Sequence, residues 1–193
     1  MTWDPYTLSA IIVIAFVLLV ACRAGMLRKR GIRAIVFGKT DKSDFLLVFV
    51  VALFVYPAIA AQAGLPMWPP LVRHFWEAAA PGWAGLAVCA VALAGFAATI
   101  VSFGRSFRVG IDEERPDKLV TTGMFAISRN PLYLFFILLF VGLFLVHSNI
   151  VATAAAIIFT LAMHRQILRE ETFLKEHYGA EYEDYCAKVR RYL

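Results

Sequence analysis

Five long apolar runs, at 6–22, 45–61, 83–103, 131–146 and 150–168, take up nearly half of this 193-residue chain. None alternates polar with apolar residues as a membrane barrel strand must, and backbone amides in lipid have to bond within their own segment. The runs are therefore expected to be helices crossing a bilayer, each near the roughly 20 residues that a hydrocarbon core requires. The rest of the chain agrees, since 61% of residues are hydrophobic and 17% charged. That balance leaves too few charges to keep a soluble domain of this size dispersed. The expected fold is all-α: a polytopic membrane helical bundle of about five helices, one domain over 1–193.

Charge placement gives the expected orientation. Every Lys and Arg except Arg73 falls after run one, between runs three and four, or at the end of run five and in the tail. Those segments share one face of a five-crossing bundle, so the positive-inside rule puts them in the cytoplasm and the N-terminus outside. A cleaved signal peptide fits poorly, because Asp4 precedes the first run and the cations follow it. The formal charge of +5 is thus explained by topology rather than by nucleic acid. Cys22, Cys89 and Cys186 have no paired spacing, so neither disulfides nor a metal site is expected.

Run three is rich in small residues (Gly85, Ala87, Ala90, Gly95 and others), which let helix backbones approach closely and suit a central position. Runs four and five form a hairpin turning at His147, Ser148 and Asn149. Run four, at about 24 Å, falls short of a core of about 30 Å. Polar residues at its start, Ser128, Arg129 and Asn130, are therefore expected to sit low against protein or a cavity.

Chemistry-bearing residues concentrate in 119–192. Asn130-Pro131 reads as a helix start, with Asn as cap and Pro at the first position. Arg129 beside those free N–H groups suits a carboxylate or phosphate, or else snorkels. Glu170 and Glu171 follow the fifth run directly, where charge is costly and marks function. The plainer reading pairs Glu171 with Lys175 one turn on. Tyr182, Tyr185, Val189 and Tyr192 recur at helical spacing after Gly179, as in an amphipathic helix lying on the bilayer or capping the bundle. His164 is expected to face the interface.

This order of features resembles the isoprenylcysteine carboxyl methyltransferase and phospholipid methyltransferase group of integral membrane enzymes. The residues that carry it are Leu119-Val120, Gly123, Arg129-Asn130-Pro131 and Tyr133, then, after the hairpin, Glu170-Glu171, Leu174, Gly179, Tyr182, Tyr185 and Arg190-Arg191. The family usually has His where this chain has Asn130, which hydrogen-bonds but does not titrate near neutrality. The SRNP variant looks like a bacterial subgroup, which implies a bacterial inner membrane.

The resemblance implies S-adenosylmethionine as cofactor and a lipophilic or amphiphilic acceptor bearing a carboxylate, thiol or amine. Carried over by position, Leu119, Val120 and Gly123 would contact the adenine side of the cofactor. Arg129, Asn130, Pro131 and Tyr133 would lie near its middle, and Glu170 and Glu171 near its polar ends. Tyr182, Tyr185 and Arg190 would close over it. Arg129, Glu170 and Glu171 are the expected catalytic residues, and Arg105 and Arg108 the expected contacts to an acceptor anion. The chain then divides into three anchoring spans (1–104) and a cofactor-binding region (105–193) with its hairpin at 131–168. Two other readings stand beside this one: an NADPH-dependent membrane reductase of the steroid reductase type, and a small non-catalytic membrane protein.

Overall fold

The computed structural model describes residues 3–29, 46–103 and 119–193. Arg105 and Arg108, the expected acceptor contacts, lie outside the described residues. Asp4 starts α1 (Pro5–Arg28) by accepting from the Thr7 amide at 2.8 Å, with Pro5 in the first turn. There follow α2 (Leu46–Ala63), interrupted by Pro57, a single turn α3 (Pro69–Val72), and α4 (Ala79–Phe103). A 3-10 turn (Gly123–Ala126) leads to α5 (Pro131–His147), α6 (Ile150–Tyr178) and α7 (Ala180–Lys188). By length and composition α1, α4 and α6 can cross a membrane. The apolar α2 and the 17-residue α5 complete the five expected helices.

The glycines of α4 do what small residues in a span are expected to do. A Cβ on Gly85 would lie 2.6 Å from the Gly142 carbonyl, and one on Gly142 would lie 2.5 Å from Cys89 Sγ. The two backbones therefore touch, and α4 packs chiefly on α5 and α1. Nearer the other end of the seam, Gly95 leaves room for the Phe135 ring. Lipid tails are as apolar as Leu, so close packing rather than water exclusion holds such helices together. Aromatic contacts carry it across the bundle: Phe16 on Phe96 at 4.7 Å, Phe96 on Phe136 at 4.9 Å and Phe140 on Phe159 at 3.9 Å between centroids.

The α5–α6 turn is tighter than the sequence suggests. His147 still belongs to α5, Ser148 takes the left-handed conformation at φ 31, and Asn149 caps α6 by accepting from the Ala152 amide at 2.8 Å. Bonds from other elements hold this turn. The Phe75 amide donates to the Ser148 carbonyl at 2.6 Å, and the Asn149 amide group donates to the Leu71 carbonyl at 3.1 Å. His147 Nε2 lies 3.2 Å from Ser9 Oγ, and His74 Nδ1 lies 2.7 Å from the His147 carbonyl. Because Ser9 Oγ donates to the Tyr6 carbonyl, its lone pairs are left for His147, which then carries its proton on Nε2.

Two expectations about the opposite end need correction. First, α6 does not stop near residue 168 but runs 29 residues, about 43 Å at the helical rise. Its apolar part covers 150–168, and Glu170 and Glu171 sit just past it on the same continuous helix. Second, α7 ends at Lys188, with Val189 already extended. Val189 and Tyr192 thus leave the expected helical stripe, while Tyr182 and Tyr185 keep it and are buried. Hydrogen-bond donors at the start of α5 capture the carbonyls that a longer α7 would have used.

Candidate functional site

Where α5 begins, the chain 128–130 and the C-terminal residues 189–192 lie side by side. The Arg129 amide donates to the Arg190 carbonyl at 2.9 Å, and Ser128 Oγ donates to the Arg191 carbonyl at 3.2 Å. Arg129 Nη1 donates to the carbonyls of Cys186 and Val189, both at 3.3 Å. A guanidinium holds several donors in a fixed fork. One side chain thus ties the start of α5, the end of α7 and the tail together.

The other arm of that fork reaches α6. Arg129 Nη2 donates to Glu171 Oε1 at 3.2 Å, joined there by Asn130 Nδ2 at 3.0 Å. Glu171 Oε2 is bound by Arg191 through Nε at 2.9 Å and Nη2 at 2.7 Å. Burial opposes charge on Glu171, but the bonds from Arg191, the Arg129 charge and the Asn130 bond outweigh it. They hold the carboxyl below its usual range. The expected Glu171–Lys175 pair is not formed; Lys175 pairs instead with Glu183 at 3.1 Å on the exposed side, a contact worth little.

Glu170 points elsewhere. Its Oε1 accepts from the Tyr133 hydroxyl and from Gln166 Nε2 at 3.2 Å. Burial raises its pKa, and these two neutral donors only partly oppose the rise. The adjacent glutamates are therefore in opposite electrostatic settings. A turn of about 100° between neighbours on a helix is enough to arrange this.

Of the residues expected at a site, the structure brings together Arg129, Asn130, Tyr133, Glu170 and Glu171. Asn130 takes the cap position of α5, but its side chain makes no cap bond. It turns to Glu171 and, at 3.3 Å, to the Arg191 carbonyl. Pro131 is buried in the first turn. Gly123 serves packing: at φ 64, a Cβ there would strike Ser102 Oγ at 2.5 Å, and that hydroxyl accepts from the Met124 amide at 3.0 Å. Leu119 and Val120 lead into this turn, partly buried. Tyr185 donates to the Phe125 carbonyl at 2.6 Å, so it fastens α7 to the 3-10 turn, and burial pushes its hydroxyl up to about 12. Tyr182 is buried beside it.

Arg190 contributes its carbonyl only, and its side chain is exposed. The residue that grips Glu171 is Arg191, which sequence reasoning left out. Its one signal was membership of the basic pair at the end. His164, expected at the interface, lies 2.6 Å from the Tyr192 hydroxyl through Nδ1 and so pins the tail's last turn.

Residues 81–181 match the family model for phospholipid methyltransferases, just over half of the chain. The chain belongs to the phospholipid methyltransferase family. Among curated relatives, a probable protein-S-isoprenylcysteine O-methyltransferase of Oryza sativa subsp. indica is 38% identical over 96 residues, covering 47% of this chain and 49% of that protein. Protein-S-isoprenylcysteine O-methyltransferase A of Arabidopsis thaliana is 31% identical over 126 residues, covering 64% and 62%. An uncharacterized protein of Haemophilus influenzae is 41% identical over 63 residues, covering 32% of this chain and all of that one. The chain spans about half the length of the first of these relatives. No solved structure matches it. The phospholipid methyltransferase match ends at residue 181, so the tail that binds Arg129 and Glu171 lies beyond it.

Proposed function

We propose that this protein is a membrane methyltransferase that uses S-adenosylmethionine to methylate a lipophilic or amphiphilic acceptor. The observation that carries the reading is the junction at Glu171. There the family-matched hairpin and the tail are joined by Arg129, Asn130 and Arg191 into one polar cluster at the end of an otherwise apolar bundle. A non-catalytic anchor has no use for partly buried charges of that density. The donor set suits the cofactor: carboxylates for an ammonium or ribose hydroxyls, a guanidinium for a carboxylate, and tyrosines beside them.

When bound, the cofactor supplies a methyl group on a sulfonium, already activated for transfer. The protein's part is then to orient and to exclude water. Arg129 and Asn130, just before α5, bond directly to Glu171 on α6, and Tyr133, in the first turn of α5, bonds to Glu170. Leu119, Val120 and Gly123 take the adenine side in this reading, and Tyr182, Tyr185 and the tail around Arg190 close it. Arg105 and Arg108 hold an acceptor anion. The region 105–193 does the chemistry and 1–104 supplies three spans. The distribution of Lys and Arg supports an N-terminus outside and this site in the cytoplasm of a bacterial inner membrane.

Calorimetric titration of the detergent-purified protein tests this directly. S-adenosylmethionine and S-adenosylhomocysteine are expected to bind and NADPH is not. Binding of NADPH with neither sulfur nucleoside would remove the reading.

A further inference from the structure

The turn joining α5 to α6 is recessed. Gly85, six residues past the start of α4, packs against Gly142 and Val146 of α5. Ser9, four residues past the start of α1, lies 3.2 Å from His147. At a rise of about 1.5 Å per residue, the turn stops roughly 5 Å short of where α1 and α4 begin. A bare turn at that depth would offer its carbonyls to lipid, which has no donors for them.

The segment 64–78 fills this recess. Its Phe75 amide and His74 Nδ1 take the carbonyls of Ser148 and His147, and Asn149 returns a bond to the Leu71 carbonyl. The Trp76 ring stands edge-on to Phe144 at 5.5 Å. The segment's other face meets a different solvent. Trp68 is 62% exposed and Phe75 55%, with Leu65 and Val72 also exposed. All four tryptophans of the chain, Trp3, Trp68, Trp76 and Trp83, stand at this end, and among the described residues no Phe, Tyr or Trp is exposed at the other. Trp is favoured where an apolar layer meets a wet one. Arg73 is the one Lys or Arg among the described residues at this end, and it is exposed and makes no ion pair among them.

We propose that 64–78 is a membrane-seated cap. Its inner face seals the α5–α6 turn, and its outer face lies at the headgroup–acyl boundary of the adjoining leaflet, where Arg73 meets a phospholipid phosphate. The partner is lipid because a lone guanidinium among Trp68, Val72 and Phe75 matches a layer that is apolar on one side and phosphate-bearing on the other. Asp4 and Glu77 offset the charge of Arg73, so the apolar side chains and one phosphate contact hold the cap, not a general attraction to anionic surface. This role is separate from methyl transfer and does not depend on it.

Tryptophan fluorescence of the purified protein in phosphatidylcholine vesicles reads this surface, since all four rings are at this end. For rings seated roughly 5–10 Å deep, lipid brominated near the carbonyl end of its chains is expected to quench at least about twofold more than lipid brominated near the methyl end. Iodide on both sides of the bilayer should quench little. Trp68→Phe should shrink the bromolipid-sensitive signal. Arg73→Glu sets a carboxylate against the phosphate, and should lower bromolipid quenching at least about twofold while raising that by iodide. Both side chains are exposed, so neither change removes a buried contact. Iodide quenching without bromolipid quenching puts the segment in water and overturns the cap, as does an unchanged bromolipid signal in Trp68→Phe. Stronger quenching from the methyl end overturns the interfacial seating. Protection from both quenchers means that a second copy or another protein covers this face, and overturns lipid as the partner. A wild-type profile in Arg73→Glu overturns the phosphate contact.

Discussion

The two ends of the bundle solve the same problem with different chemistry. At the α5–α6 turn, Ser9, His74, His147, Ser148 and Asn149 join three segments through neutral groups, mostly by side chain to backbone carbonyl. At the start of α5, Arg129, Glu171 and Arg191 join three segments through charge. Neutral bonds suffice to hold helices and a loop together. Charges low in a membrane protein are more expensive to keep, and there they replace the neutral groups of the other end. The small crevice near the turn, lined by Leu53, Phe54, Pro57, Leu71, His147, Asn149 and Ala152, is too tight to admit a water.

This contrast can be broken by experiment, most sharply at Arg129. Arg129→Ala removes the Glu171 pair and two tail bonds together, and a loss of roughly 3 kcal/mol for a broken part-buried pair corresponds to about a 100-fold drop in methyl transfer. Arg129→Lys is expected to recover little, because a single ammonium cannot bridge carboxylate and carbonyls at once. A wild-type rate in the alanine variant would sink the assignment of this end as the working one.

Acid should act next, and at the same end. Glu171 has a lowered pKa in the fold, so its contribution is fully present above the unfolded value of about 4.3 and is lost as pH falls through the lower folded value. Hydrogen exchange of 186–193 is expected to stay slow at pH 6 and to rise relative to its intrinsic rate near pH 3. A tail equally protected at both would show that the main-chain bonds hold it unaided. The smallest effect belongs to the other end. Ser9→Ala deletes neutral hydrogen bonds worth about 1 kcal/mol. It should lower the melting temperature slightly while methyl transfer stays at the wild-type rate. Lost transfer in that variant would erase the distinction between the ends.

The helices were legible because lipid leaves the backbone few options, and the apolar runs mark them within a few residues. Their ends were less so. Apolar periodicity stops at Leu168, yet α6 continues because residues after it, such as Arg169, Glu170, Glu171, Leu174 and Lys175, are good helix formers. The members of the site were legible too, through Arg129, Asn130, Tyr133 and the glutamate pair. Their pairing was not. The sequence offers Lys175 as Glu171's neighbour at helical spacing, whereas the partners used are 42 and 20 residues away. Asn130 reads as a cap and takes that position, but its side chain turns to Glu171, a partner 41 residues away. Arg190 and Arg191 differ only in which face of an extended strap they occupy, and no periodic pattern distinguishes them.

The Gly85–Gly142 contact also restricts traffic. With the α4 and α5 backbones touching there, and Phe135 filling the space over Gly95 further along, the seam between these helices is shut at two depths. A molecule diffusing in the plane of the bilayer cannot slip through it. Any lipophilic molecule that reaches the charged end of the bundle from the bilayer must come in along another flank of α5.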